Sequence, residues 1–310
     1  MAGKWDVQWT QSSSEADAPF LTESYFADHS PPPVKKSNPY INLALFIITF
    51  ITTTLAGALM QGEFEFSLRY FLTGFEFSLP LLLILGVHEM GHYLMSRYHG
   101  VAATLPYFIP GPTIIGTFGA LIKIKSPISY RKALFDIGFA GPFAGFVVAL
   151  PLLFIGFARS NIMPVTALAE TEIIFGDSIL TYLVQRIMYG AMPENITLML
   201  SPMGFAAWIG LWITSINLLP LGQLDGGHIA YSVFGPKWNK YSKIVFAVML
   251  LLGIFWYGWL FWGLIIFFII KLRHPRTRDD NMPLTGWRKY GAILALIIFA
   301  LTFIPVPFKI

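Results

Sequence analysis

Residues 40–60, YINLALFIITFITTTLAGALM, run from end to end without one charged side chain. An α-helix of about 20 residues covers the roughly 30 Å of a bilayer's hydrocarbon. Backbone amides there must pair within the segment or in a closed barrel. Comparable runs recur at about Ser78 to Arg97, Ala133 to Phe157, Met203 to Leu219 and Tyr290 to Val306, and a longer one extends from Ser242 to Ile270. Their lengths suit helices, and composition agrees: 12% of residues are charged, against about 25% in soluble domains. The expected fold class is an all-α polytopic membrane protein with about six to seven transmembrane helices.

Between these runs the chain changes character. Residues 1–38 contain QSSSEADA and PPP and lack the apolar core of a signal peptide, so they are expected to form a disordered cytosolic tail ahead of a membrane-embedded domain, residues 39–310. From Val101 to Ser129 proline and glycine are too frequent for a helix. There TLPYFIP and GTFGALIKIK read as short strands, a membrane-associated β-hairpin after the second span. Ala158 to Asn195 reads as a linker of mixed character. The run from Ser242 to Ile270 is too long for one upright helix and short for two, and a helical hairpin turning near FWYGW would put its basic flanks on one side.

With that hairpin and a cytosolic N-terminus, only Arg69, Arg159, Arg186 and Lys309 of the 21 Lys and Arg fall outside, leaving 21 − 4 = 17 inside. This is the asymmetry of the positive-inside rule. The expected location is a bacterial inner (cell) membrane. A net charge of +4 invites a nucleic-acid partner, but no basic helix with interleaved aromatics accompanies it. The chain has no cysteine, so a transition metal would have to be held by His, Asp or Glu.

The second span contains LLILGVHEMGHYLMSR, which sets His88, Glu89 and His92 in hydrocarbon. Ionisable groups there are expensive, so a function and a partner are expected. His88 and His92 are i and i+4 on one helical face and can grip one ion; Zn²⁺ suits two imidazoles, and Glu89 beside them can act as base on water. A catalytic zinc usually takes a third protein ligand. Asp136 follows Arg131 and Lys132 at the start of a helix, where a dipole or ion-pair role explains it. Asp225 stands in NLLPLGQLDGGH, after a helix-breaking proline and before two glycines that allow its side chain to be turned inward. For that, the segment from about Asn217 to Gly227 must be irregular. His228 could support Asp225 as a hydrogen-bond partner, but a cap or backbone hydrogen bond is the first reading, ahead of a ligand role. His29, His99 and His274 fall in tail or loop, where solvation suffices. Asn217 either satisfies carbonyls of a broken helix or takes part in the site.

HEMGH in one span, GFAGP opening the next and NLLPLGQLDGG in a later one resemble the site-2 protease family of intramembrane zinc metalloproteases. GTFGALIKIKSP and RKALFDIGFAGP extend the likeness, which covers residues 81–234. The resemblance is to compact members, without an inserted PDZ-like region or an appended CBS domain. It implies one zinc on His88, His92 and Asp225, Glu89 as general acid and base, and Asn217 in substrate contact or oxyanion stabilisation. The strand from Gly116 to Lys125, with Gly116, Thr117, Phe118 and Gly119 at its start, would offer an edge to an unwound substrate. The implied activity is hydrolysis of peptide bonds within or near transmembrane segments of other membrane proteins, in regulated intramembrane proteolysis. The alternatives are a metal-binding membrane transporter or sensor, which has no obvious use for Glu89 beside the ligand pair, and a catalytically silent membrane chaperone, which the complete catalytic set disfavours.

Overall fold

The first helix, α1 (Pro39–Leu59), is inverted relative to a helix of a soluble protein. Asn42, Thr49, Thr53 and Thr54 are buried, while Ile41, Leu43, Ile47, Ile48, Ile51 and Leu59 are exposed. Water would penalise that arrangement, whereas lipid tolerates apolar side chains outside and leaves polar groups to be satisfied within the protein. The computed structural model describes residues 38–309, apart from 63, 64, 66, 166–173, 194 and 281. The expected tail lies outside the described residues.

A six-residue helix α2 (Leu68–Thr73) leads into α3 (Phe75–Tyr98), which carries the HExxH motif. After the β-hairpin β1 (Tyr107–Pro110) and β2 (Thr117–Leu121) comes α4 (Arg131–Ala158). Among the described residues α1, α3 and α4 are the three helices long and apolar enough to cross a membrane. Helix α6 (Pro202–Asn217) packs between α3 and α4 through Ala207, Ile209 and Leu211 on one side and Ile84, Ala149 and Leu153 on the other, all nearly inaccessible. Gly156 and Gly204 let α4 and α6 approach so closely that a Cβ on Gly156 would fall 2.3 Å from the Gly204 Cα. This is the small-residue contact through which helices associate in lipid.

The expected hairpin after the HExxH helix is present, antiparallel, with Phe108 opposite Ala120 and Ile109 opposite Gly119. It is clasped by the polar face of α1: the Asn42 amide donates to the carbonyls of Leu105 and Pro106, and the Thr52 hydroxyl donates to the Gly116 carbonyl.

The linker from 158 to 195 contains more structure than its composition suggests. Its strand β3 (Asn161–Pro164) pairs with β5 (Ile196–Met199), and β4 (Ile174–Phe175) pairs with β6 (Phe308–Lys309). Between them α5 (Ile179–Tyr189) begins at a Ser178/Thr181 capping box. Elements of two to four residues are too short to carry a periodicity, and β4 and β6 are paired across more than 130 positions of chain.

Helix α6 ends at Asn217, the chain is irregular from 218 to 224, and α7 (Asp225–Phe234) starts at the aspartate. The run from 242 to 270 is a helical hairpin: α8 (Trp238–Leu251) and α9 (Gly258–Ile265), the latter prolonged by a π-helical turn to Ile270. Phe246 stacks on Phe267, and Gly253 faces Leu260, so the fold-back is centred near Trp256 and Tyr257. A basic loop then leads to α10 (Arg288–Thr302).

Candidate active site

Helix periodicity brings His88 and His92 to one face of α3, with their Nε2 atoms 3.1 Å apart. The first residue of α7 supplies Asp225, whose Oδ2 lies 3.3 Å from each. Ligand atoms about 2.05 Å from a tetrahedral ion are about 3.3 Å from each other. Nitrogen and oxygen donors at this spacing fit zinc, and among the described residues no other three His, Asp or Glu converge this way.

Three local features assemble the cluster. The His92 Nδ1 lies 2.7 Å from the Ile137 carbonyl. A carbonyl only accepts, so Nδ1 carries the proton and the Nε2 lone pair faces the cluster. The glycines of GFAGPFAG supply space: a Cβ on Gly141 would fall 2.1 Å from His92 Nε2, and one on Gly145 would fall 3.1 Å from His88 Nδ1. Finally, Gly226 and Gly227 pass against the carbonyls of Leu218 and Gly222, at distances of 1.9 and 2.4 Å from any added Cβ. Only glycine at both lets α7 restart under the irregular turn with Asp225 aimed at the histidines.

Glu89 is 7% exposed and shares the cleft with the cluster; its Oε2 accepts the backbone N–H of Ile122 at 2.7 Å. Asn217 also lines the cleft, with its amide nitrogen 3.4 Å from His88 Nε2. The hairpin residues in the cleft wall are Ala120, Leu121, Ile122 and Ile124. Gly116 to Gly119, expected at the start of the substrate edge, lie elsewhere. Gly116, at φ 74°, packs on the Thr52 backbone; Thr117 is buried and donates to the Ile109 carbonyl; Phe118 is largely exposed and covers Gly111; Gly119 sits at φ 102°.

Several bland expectations for other residues are corrected. Asp136 is indeed ion-paired, but with Arg288, which contacts both carboxylate oxygens at 2.8 and 2.6 Å, and with His99 Nε2 at 2.8 Å. His99 is therefore not merely solvated. The buried Arg131 donates instead to the carbonyls of Ser232, Val233, Asp280 and Met282, and its backbone N–H donates to Asp279. His274 is 3% exposed and bonded to His228, which is thus neither a cap nor a backbone partner. Ile122 acts through its backbone and has no side-chain signal that sequence could reveal.

The model of peptidase family M50 matches residues 76–256, which contain His88, Glu89, His92, Asn217 and Asp225. Among curated proteins, “Probable zinc metalloprotease EGY2, chloroplastic” of Arabidopsis thaliana is 33% identical over 76% of this chain and 42% of its own length. “Probable zinc metalloprotease EGY1, chloroplastic” of the same plant is 33% identical over 74% of this chain and 43% of its own length. “Probable zinc metallopeptidase EGY3, chloroplastic”, also of Arabidopsis thaliana, is 30% identical over 84% and 48%. The chain spans less than half the length of these relatives.

Proposed function

The chain belongs to peptidase family M50, and from that premise we propose that it is an intramembrane zinc endopeptidase cutting transmembrane segments of other proteins near their cytosolic end. The observation that carries this reading is the trio of donor atoms within 3.3 Å of each other beside a buried carboxylate, on helices whose outer surfaces suit lipid. In it, His88, His92 and Asp225 hold the ion and Glu89 is the general base. When bound there, zinc supplies Lewis-acid polarisation of a carbonyl and eases deprotonation of water. Glu89 takes the proton of the attacking water and gives it to the leaving amine. The Ile122 N–H holds the Glu89 carboxylate in the cleft until water and substrate replace it. In the same reading Asn217 donates to the carbonyl oxygen as negative charge develops on it, supported by its amide nitrogen lying 3.4 Å from His88 Nε2.

A helical substrate has every carbonyl engaged, so it must unwind before attack, and in lipid its freed groups need partners. The hairpin offers them. Lys123 exchanges bonds with Thr104 and the Lys125 N–H donates to the Ala102 carbonyl on one side, while the Ile122 N–H points the other way, into the cleft. By the two-residue period of a strand, Ala120 and Ile124 also turn their N–H groups cleftward.

In this reading α1, α3, α4, α6, α8, α9 and α10 are seven crossings with the N-terminus in the cytosol, which puts the metal cluster toward the cytosolic side. The membrane expected from the sequence is a bacterial inner one, whereas the named relatives are chloroplastic; the mechanism requires only a bilayer with the basic loops on the catalytic side. Reconstituted with a single-span substrate, the chain should cleave it, lose that activity to a zinc chelator and regain it with added Zn²⁺. Cleavage that persists after zinc has been stripped to undetectable levels contradicts the proposal.

A further inference from the structure

His228 lines the same cleft as His88, Glu89 and Asp225 but is not one of the three converging donors. A chain of hydrogen bonds fixes its tautomer. His274 Nδ1 lies 2.7 Å from the Pro275 carbonyl, which only accepts, so that nitrogen carries a proton. The His274 ring is buried, stacked on Tyr231 at 4.2 Å between centroids, and its backbone is clamped on both sides by the Asn239 amide. Burial pushes its pKa below the ordinary histidine range, so it is neutral and its Nε2 is a lone pair. That lone pair is 2.7 Å from His228 Nδ1, which must therefore be the donor. A neutral imidazole carries a single N–H, and with Nδ1 as that donor the other ring nitrogen of His228 holds a lone pair. Its Nε2, on the ring edge away from His274, is then an acceptor. No hydrogen bond from a described residue reaches it, and Gly138 beneath leaves the room in which the His228 Cβ sits.

We propose that His228 is a substrate-binding residue whose Nε2 accepts a backbone N–H of the unwound substrate in the cleft. This rests on the protease reading above. An extended chain presents N–H groups alternately on its two edges. If one edge pairs with β2, the N–H groups of the other have no water to turn to in the membrane. In the protease reading Asp225 would hold the ion and Glu89 would face water, whereas His228 offers an unused acceptor at the same cleft.

The test uses zinc-loaded full chain and a series of synthetic single-span substrates, each with one amide near the scissile bond replaced by an ester, which removes one N–H. In the wild type one linkage should raise KM about 5- to 10-fold, the scale of one hydrogen bond. In His228→Asn the carboxamide keeps the contact with His274 but places nothing at Nε2. It should retain zinc and kcat, raise KM for the all-amide substrate by a similar factor, and be indifferent to that one ester. His228→Gln, whose amide oxygen can reach the Nε2 position, should recover part of the loss. His274→Phe keeps the stacking on Tyr231 but lets His228 move its proton to Nε2, and should reproduce the rise. The proposal is overturned if the wild type tolerates every ester, or if His228→Asn suffers the same added penalty as the wild type at each linkage. Zinc-loaded wild type that cleaves no substrate overturns the protease reading instead.

Discussion

Asp136 and Asp225 are both acidic residues beside apolar helices, and their surroundings give them different work. Asp136 is gripped by Arg288 and His99 and ties α10 and the end of α3 to α4. Asp225 faces two imidazoles and, among the described residues, no Lys or Arg ion pair. Asp225→Ala should therefore drop zinc occupancy far below that of wild type while leaving thermal stability in detergent little changed for the apoprotein. Asp136→Ala should keep zinc but lose about 3 kcal/mol of stability, because Arg288 is left without its buried partner. Metal analysis and melting of both purified variants check this, and equal zinc occupancy in the two would move the third ligand elsewhere. Asp225 was legible in sequence because Pro220 and the glycine pair announce a broken helix at a carboxylate. The partner of Asp136 was not, since Arg288 lies 152 positions away and the adjacent Arg131 looked sufficient. His274 was illegible for the same reason: only tertiary packing buries a histidine that local composition assigns to solvent.

The hairpin links the elements to the chemistry, because its backbone meets both α1 and Glu89. Proline at Ala120 or Ile124 removes a cleft-facing N–H without touching the ladder to β1, and should cut turnover about 10-fold or more with zinc still bound. Proline at Leu121 or Lys123 interrupts the inner pairing and should lower thermal stability as well. Turnover, zinc content and melting temperature across the series separate the two classes; unimpaired cleavage at Ala120→Pro and Ile124→Pro would mean that substrate is not held on this edge. That two strands follow the HExxH helix was readable from Pro and Gly frequency together with alternation. Which residues reach the cleft was not: glycine permits the φ of 74° at Gly116 and 102° at Gly119, but its presence alone does not say which way the strand turns. The fold-back near Trp256 was legible from run length and flanking charge, whereas the short elements between 158 and 199 carry too few residues to show a period.

At the scale of the whole molecule, the polar face of α1 and the close glycine contacts between helices mark a protein whose solvent is lipid. From the charge asymmetry we predict that the basic loops lie on the cytosolic side. Single cysteines introduced into the naturally cysteine-free chain should label from the cytosolic side in 101–129 and 273–289, and from the opposite side in 158–195. Labelling of positions 240 and 276 from opposite sides would refute the crossing of the α8–α9 hairpin. The central claim is that one ion on His88, His92 and Asp225 works with a separate base, and removing the base alone tests it most directly. Glu89→Gln keeps the side chain's size and its contact with the cleft but cannot take a proton from water. Zinc content and cleavage of a single-span substrate, measured on the same reconstituted sample, should give about one zinc per chain, as in wild type, with turnover lowered at least 10³-fold, within the scale of general acid–base catalysis. Cleavage by Glu89→Gln at a rate near that of the wild type, with zinc bound, would contradict the account.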